Sequence, residues 1–276
     1  MKTTAARAYA CYLRYFPIKK WKKAISSRIG RHLEGVPLPT AYGFPIYTKF
    51  HDRTNRMGFQ GHLGILPRFV EEVPRGACFI DIGANLGVIT IMAAHRVGPQ
   101  GRVLAFEPVA ETFAALTRNV ALNQLCNVTT LQMAVAARAS SVRMTPPDPL
   151  HSGAARVADS THGDVRAGPL SDIPEVMAAA ARMPVYAKID TEGYELEVLQ
   201  GMLPLFQQRR IVSIIIEIDD AHLSRFGASA AALYARLEGL GYRPRLHPAP
   251  AGRHYDEIFD RVDEPAAACA GNISAR

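Results

Sequence analysis

Short apolar segments alternate with helical segments between residues 63 and 262, and this alternation constrains the fold of the chain more than any other feature of its sequence. Segments such as 78–82 and 211–218 lack the polar alternation of a half-exposed strand, which is typical of strands buried on both faces. The predicted strands are 78–82, 102–106, 128–134, 185–189 and 211–218. The predicted helices are 63–73, 88–97, 110–122, 194–200 and 228–240. Such alternation favours a parallel sheet with helices on both faces.

The last two strand-like segments, 242–246 and 254–262, are expected to form an antiparallel pair. With the earlier strands they predict an α/β fold with a mostly parallel seven-stranded sheet and a C-terminal antiparallel hairpin. Right-handed crossovers place the carboxyl ends of the parallel strands at one edge, where ligands bind in such folds. The stretch from about 138 to 184 is polar and punctuated by Pro and Gly, and no helix or strand is assigned to it.

The positive charge of the chain is concentrated at its N-terminus. Residues 1–35 carry nine Lys or Arg against one acid, whereas the rest carries 23 bases and 24 acids. A neutral bulk argues against a nucleic-acid-binding face, so no nucleic-acid partner is expected. We predict that residues 1–50 form a basic, partly helical extension and linker, and that residues 51–276 form the main folded domain. Residues 1–35 either pack on that domain with solvated charges or contact an anionic membrane surface peripherally.

Composition excludes several other classes. Apolar residues make up 48% and charged residues 21% of the chain, as in soluble globular proteins. The uninterrupted apolar runs are only a few residues long, whereas a membrane-spanning helix needs about 20. The basic N-terminus does not resemble a secretory signal, because Arg7 and Arg14 interrupt any apolar core. The four widely spaced cysteines support neither a zinc site nor a disulfide framework. A cytoplasmic location, with peripheral contact at the inner membrane surface as an option, is expected.

The string FIDIGANLGVIT at residues 79–90 indicates a ligand site. Asp81 lies at the end of a buried strand, and Gly83, Asn85 and Gly87 follow at two-residue spacing before a helix begins. Glycines allow a sharp turn and a close approach of the backbone to a ligand. The helix start offers unpaired N–H groups to an acceptor. Glu107 ends the next strand 26 residues after Asp81, where it is suited to accept hydrogen bonds from two ribose hydroxyls.

Dinucleotide-binding sites share this layout of strand, glycine-containing turn and helix, so the sequence must be tested against their fingerprint. The fingerprint G-x-G-x-x-G anchored at Gly83 requires glycines at positions that are occupied by Asn85 and Val88. Asp81 would repel a pyrophosphate but attract the ammonium group of S-adenosylmethionine, so the charge favours the latter. A nicotinamide-dependent oxidoreductase and a non-catalytic nucleoside-binding protein remain the alternatives.

A second set of acids follows the next two strands. The string AKIDTEGYELEVLQG presents Lys188, Asp190 and Glu192 after one strand, and IIIEIDD ends the next with Glu217 and two aspartates. Acids that close neighbouring parallel strands should meet at the cofactor's edge of the sheet. An isolated acid there is more often a helix N-cap, but several acids held close together are costly unless they share a proton or a cation.

Taken together, FIDIGANLGVIT, LAFEP, AKIDTEGYELEVLQG and IIIEI resemble the FkbM-type family of S-adenosylmethionine-dependent methyltransferases from about residue 60 onward. The resemblance implies a Rossmann-like class I methyltransferase fold and methyl transfer to a hydroxyl of a sugar, glycolipid or related secondary metabolite. The partner would then be a small-molecule, sugar or lipid-linked acceptor. The cofactor-binding positions that the resemblance implies are Asp81, Gly83, Asn85, Gly87 and Glu107. The substrate-side acids that it implies are Asp190, Glu192 and Glu217.

Methyl transfer to an alcohol needs a positioned acceptor and a base for its proton. We expect Asp190 to act as that base or to orient the hydroxyl, with Glu192 and Glu217 positioning it. The alternative is a Mg²⁺ ion that lowers the pKa of the hydroxyl. Its ligands would be Asp190, Glu217, Asp219 and Asp220. Three histidines are weaker candidates: His222 as the base, and His151 and His162 as pocket residues.

Overall fold

The computed structural model describes residues 1–16, 25–26, 28–146, 148–159, 162–245 and 254–262. Its centre is a seven-stranded sheet in which one strand runs against the other six. In sheet order the strands are β12 (Tyr242–Pro244), β13 (Tyr255–Arg261), β11 (Ile211–Ile218), β10 (Val185–Ile189), β3 (Cys78–Ile82), β4 (Arg102–Phe106) and β5 (Val128–Leu131). The predicted α/β fold with a mostly parallel sheet is confirmed.

The C-terminal hairpin is also confirmed. β13 is the reversed strand, and it is inserted between β12 and β11 rather than added at the edge. In the central strands every residue of β3 is buried, because helices cover both faces. On one face Ile80 and Ile82 pack in a core shared with the helices of the C-terminal half, and on the other face Phe79 packs with the helices of the N-terminal half.

The helices flank this sheet in two layers. In chain order they are α1 (Lys2–Tyr15), α2 (Arg53–Gln60), α3 (Leu66–Glu72), α4 (Val88–Val97), α5 (Ala110–Leu122), α6 (Pro174–Arg182), α7 (Glu195–Gly201), α8 (Leu203–Gln207), α9 (Asp220–Leu223) and α10 (Ala230–Gly239). The predicted bounds of α4 and α5 agree with the structure, and those of the other predicted helices differ by a few residues at their ends. In the described residues, no helix is long and apolar enough to cross a membrane.

The polar stretch after residue 137 contains regular structure that the sequence did not indicate. The predicted strand 128–134 is divided, and its end forms the separate strand β6 (Ala134–Val135). This strand belongs to a second, four-stranded sheet in the order β6, β9 (Val165–Gly168), β7 (Ser140–Met144) and β8 (Val157–Asp159). Only Val142 of β7 is buried, so this strand lacks the apolar run that reveals a strand in a sequence. The helix α6 follows in the same stretch.

The N-terminal residues pack against the rest of the protein. Tyr9 of α1 is buried, and its ring contacts Phe50 with a centroid distance of 5.2 Å. The segment around Pro37 and Pro45, expected to be an extended linker, forms a two-stranded antiparallel sheet of β1 (Pro37–Pro39) and β2 (Pro45–Tyr47). Residues 17–24 and 27 of the predicted basic extension lie outside the described residues. The domain boundary at residue 50 stays a prediction.

Candidate functional site

A cavity lies at the carboxyl edge of β3, β4, β10 and β11, where the loops after these strands converge. The segment 151–157 of the polar stretch and the first turn of α2 also line it. Six of the predicted site residues contribute to its wall: Gly83, Asn85, Glu107, Asp190, Glu192 and Glu217. Apolar side chains such as Leu86, Met133 and Val135 line the part nearest β4 and β6. A largely apolar cavity with a few convergent polar groups is typical of a small-molecule site.

The turn after β3 depends on two glycines with positive φ. Gly83 has φ of 78°, and a Cβ there would lie only 1.8 Å from the backbone oxygen of Asp190. No side chain fits at that position, so the β3 and β10 loops are in direct backbone contact. Gly87 has φ of 87° and begins α4, and a Cβ there would lie 2.6 Å from Leu116. Gly87 is not part of the cavity wall, so it serves packing between α4 and α5.

Glu107 is held at the cavity wall by two backbone N–H groups. Asn85 donates to Oε2 at 2.9 Å, and Val109 donates to Oε1 at 3.0 Å. Asn85 adopts φ of 50°, and this left-handed turn aims its N–H at the carboxylate. Burial raises the pKa of Glu107 to about 7 even though both hydrogen bonds favour the charged form. Each oxygen keeps acceptor capacity for a ligand hydroxyl.

Asp81 occupies a different place from the one the sequence suggested. Its side chain is fully buried beneath α4 and does not reach the cavity wall. Oδ2 accepts a hydrogen bond of 2.6 Å from Thr90, and Oδ1 lies 3.5 Å from the ammonium of Lys188. Asp81 is therefore not in position to contact a ligand in the cavity directly.

Lys188 connects the two halves of the site, which residue spacing did not indicate. Its ammonium donates to the carbonyl oxygen of Gly83 at 2.6 Å and lies 3.3 Å from Oδ2 of Asp190. Burial alone would lower the pKa of this lysine, but the Asp190 and Asp81 carboxylates outweigh it and raise the pKa. Lys188 is therefore a charged, buried link between β3 and the β10 loop.

The loop after β10 is held by Glu195 at the start of α7. One oxygen of Glu195 accepts hydrogen bonds from the backbone N–H groups of Thr191 and Gly193 and from the Thr191 hydroxyl. Glu192 lies at the top of this turn with φ of 56°. Burial, followed by the neighbouring Asp190 charge, raises the pKa of Glu192 to about 7. Glu195 was missed in the sequence because it is one acid among several in TEGYELE.

Glu192 and Glu217 meet two histidines at the far side of the cavity. Nδ1 of His222 lies 2.9 Å from Oε2 of Glu192, and Nε2 of His254 lies 3.4 Å from Oε1 of Glu217. Burial and the neighbouring Asp190 charge raise the pKa of Glu217. Burial lowers the pKa of His222. His254 and His151 line the cavity, whereas the exposed His162 does not.

The structure does not assemble the four-carboxylate magnesium site that was the alternative. Asp220 accepts a backbone N–H from Ala230 at 2.7 Å, and Asp219 caps α9 through Ala221 and His222. Asp190, a third member of the set, is paired with Lys188. These carboxylates are taken by different partners, so the geometry does not support Mg²⁺ on this ligand set.

Ser152 joins the polar stretch to the glycine-containing turn and to α2. Its hydroxyl donates to Oδ1 of Asn85 at 3.0 Å, and its backbone N–H donates to Oδ2 of Asp52 at 2.7 Å. Asp52 in turn caps α2 by accepting from Asn55. A serine in a polar loop has no sequence signal that would reveal this role.

The chain is similar to several known proteins. The chain is 28% identical over 159 residues to Hexuronic acid methyltransferase AglP of Haloferax volcanii, over 58% of this chain and 63% of that protein. It is 29% identical over 164 residues to Methyltransferase sdnD of Sordaria araneosa, over 48% of this chain and 63% of that protein. The matches thus span about three fifths of the length of these relatives. A solved SAM-dependent O-methyltransferase from Thermotoga maritima aligns with a TM-score of 0.42 and 12% identity, over 84% of this chain and 80% of that one.

A family model described as Methyltransferase FkbM domain matches residues 81–244, which is more than half of the chain. The matched region begins at Asp81 in β3 and ends at Pro244 in β12, so it includes the loops after β3, β4, β10 and β11 that line the cavity. Together with the mostly parallel seven-stranded sheet, this match confirms the predicted Rossmann-like methyltransferase fold. The protein belongs to the FkbM methyltransferase domain family.

Proposed function

We propose that this protein is an S-adenosylmethionine-dependent methyltransferase that methylates a hydroxyl group of a sugar, a glycolipid or a related secondary metabolite. The observation that carries the proposal is Glu107. Its buried carboxylate lies at the end of β4, is held in place by Asn85 and Val109, and is part of the cavity wall. Family membership supports the methyltransferase assignment, and the name of the relative AglP supports a sugar acceptor.

The residues present fit the cofactor. Glu107 would accept hydrogen bonds from the ribose hydroxyls, and the apolar wall at Leu86, Met133 and Val135 would cover the adenine. The buried Asp81 does not reach the cavity wall, so it would not contact the ammonium group of the cofactor directly. When bound, S-adenosylmethionine supplies the methyl group.

Asp190 is suited to bind the acceptor hydroxyl, on the side of the cavity away from Glu107. Its side chain is 35% exposed, and its Oδ2 faces Lys188, which leaves Oδ1 for an acceptor hydroxyl. A carboxylate in that position can orient the hydroxyl and accept its proton at Oδ1. Glu192 and Glu217 line the same side and would position the sugar ring.

Titration calorimetry tests the cofactor assignment. S-adenosylmethionine and S-adenosylhomocysteine should bind, NAD should not, and Glu107→Gln should weaken binding. The exposed Glu111→Gln is the matched control. Binding of NAD instead would favour the oxidoreductase alternative.

Transfer of a labelled methyl group to hexuronic-acid-containing glycans tests the activity. Tight cofactor binding without transfer to any glycan or lipid fraction would favour the non-catalytic alternative. Retained transfer in Asp190→Asn would remove the base assignment, since an amide cannot accept the proton.

We also propose peripheral contact of the basic N-terminus with an anionic membrane surface on the cytoplasmic side. Lys2 and Arg7 of α1 are exposed, while Tyr9 and Leu13 are buried beneath the helix. Sedimentation with phosphatidylserine vesicles tests this, with Lys2→Glu and Arg7→Glu expected to reduce pelleting. Equal pelleting of variant and parent protein would end the proposal.

A further inference from the structure

Three metal-ligating side chains converge at the acceptor side of the cavity. Single donor atoms of Glu192, Glu217 and His222 all lie within 4.8 Å of one another. They come from the turn before α7, the end of β11 and the helix α9. Donor atoms bound to one ion at about 2.0–2.2 Å lie no more than about 4.4 Å apart, so small side-chain movements would bring all three to one ion.

Glu217 is a buried carboxylate without hydrogen bonds. Its side chain is only 9% exposed, and no donor in the described part of the chain forms a hydrogen bond with it. The half-exposed imidazole of His254 lies 3.4 Å from Oε1 of Glu217. Burying an ionised carboxylate without partners is costly, so the arrangement calls for a cation or for loss of the charge.

His222 supplies a second unpartnered atom at the same place. Its Nδ1 is fully buried and makes no hydrogen bond in the described residues, although Oε2 of Glu192 is only 2.9 Å away. Because Nδ1 of His222 and Oε2 of Glu192 lie close together without forming a hydrogen bond, a lone pair on each atom is available to a ligand. The two atoms can therefore coordinate the same cation.

His254 can complete the set. Its Nε2 faces Oε1 of Glu217, and its Nδ1 lies 3.4 Å from Oδ2 of Asp219. A carboxylate behind a histidine orients the ring and makes its other nitrogen a better ligand. The same Asp219 caps α9 through the backbone N–H of His222, so one aspartate positions both histidines.

We propose that Glu192, Glu217 and His222 bind one divalent transition-metal ion, with His254 as a fourth ligand. Imidazole nitrogen together with carboxylate oxygen suits zinc or manganese, whereas Mg²⁺ prefers oxygen ligands alone. Glu192, Glu217 and His254 line the cavity, so a bound ion would face the acceptor. This role rests on the proposed function: the ion would hold the acceptor oxygen and lower the pKa of its hydroxyl.

Metal binding by the full-length chain tests the proposal without any turnover. The protein is stripped with a chelator, and Zn²⁺, Mn²⁺ and Mg²⁺ are titrated by calorimetry, with metal content measured after dialysis. The thiols of Cys11 and Cys126 are exposed and could bind zinc, so the titrations use a Cys11→Ser/Cys126→Ser background. We expect one Zn²⁺ or Mn²⁺ per chain and far weaker binding of Mg²⁺.

The variants Glu217→Gln and His222→Gln should each weaken metal binding by more than about tenfold. Glu238→Gln, an exposed acid on α10, is the control that should bind like the parent. Thermal unfolding tests whether the variants are folded. Because Glu217→Gln removes a buried charge, its unfolding midpoint without metal should be no lower than that of the parent. Added Mn²⁺ should raise the midpoint of the parent and of Glu238→Gln only.

The proposal is overturned if neither Zn²⁺ nor Mn²⁺ binds, if Mg²⁺ binds as well as they do, or if both ligand variants bind metal like the parent. S-adenosylmethionine binding is measured separately on the stripped protein. Failure of that titration with intact metal binding would contradict the proposed function and leave the metal site standing. The reverse result would remove the metal site alone.

Discussion

The ammonium of Lys188 donates a hydrogen bond of 2.6 Å to the carbonyl oxygen of Gly83. The two residues are 105 positions apart in the chain, and their contact joins the turn after β3 to the loop after β10. The same ammonium lies near the carboxylates of Asp81 and Asp190. One lysine therefore neutralises two acids and fixes the distance between the two sides of the cavity.

Replacing this lysine should destabilise the protein strongly. Lys188→Met leaves the Asp81 carboxylate buried without a counter-charge, and breaking a buried pair in this way costs about 3–5 kcal/mol. Urea unfolding measures the loss. Lys49→Met, which removes an ion pair with the exposed Glu111, should cost less than about 1 kcal/mol. Because Asp81→Asn removes the uncompensated charge, the double variant should recover part of the stability; purely additive losses would contradict this coupling.

Comparing alanine variants of Gly83 and Gly76 separates the cost of backbone strain from the cost of a steric clash at Cβ. Both have φ of 78°, but a Cβ at Gly76 would meet nothing within 4 Å, whereas one at Gly83 would meet the Asp190 carbonyl. Gly76→Ala should therefore cost only the left-handed strain of about 1–2 kcal/mol. Gly83→Ala should cost clearly more and should also weaken cofactor binding, because the Asp190 loop must move. Equal unfolding free energies for the two variants would contradict the close contact.

Cofactor affinity should rise with pH around neutrality. Burial raises the pKa of Glu107 to about 7, so the carboxylate that accepts the ribose hydroxyls is lost as the pH falls below that value. Below the pKa the affinity should fall by up to about tenfold per pH unit. Calorimetry between about pH 6 and pH 8 measures this. Glu107→Gln retains every other titrating group, including those of the ligand, so the difference between the two profiles isolates Glu107. Parallel profiles would argue against the ribose contact.

Ser152→Ala should loosen the segment that covers the cavity. It removes the hydrogen bond to Asn85 at a cost of about 1 kcal/mol, while the backbone bond to Asp52 remains. Hydrogen exchange at residues 148–156 should become faster, and the exposed Ser141→Ala on β7 should leave it unchanged. Unchanged exchange in the Ser152 variant would show that the backbone contacts alone hold the segment.

The local pattern of apolar residues was sufficient to predict the central strands of the large sheet. β3, β4, β10 and β11 agree in their bounds with the predicted segments, because strands buried on both faces are apolar at most positions. β7 failed to show such a pattern because only one of its five side chains is buried. A strand with mostly exposed side chains leaves too little apolar signal to be recognised.

The sequence alone determined that the acids and the glycine-containing turn would meet at one sheet edge, because parallel strands bring their carboxyl ends together. Only the tertiary structure decided what each acid does there. Asp81 points beneath α4, Glu107 receives the N–H of Asn85, and Glu217 faces histidines from other segments. These roles depend on the face of the strand from which a side chain projects and on which distant segment packs over it, and neither is encoded in the spacing of residues along the chain.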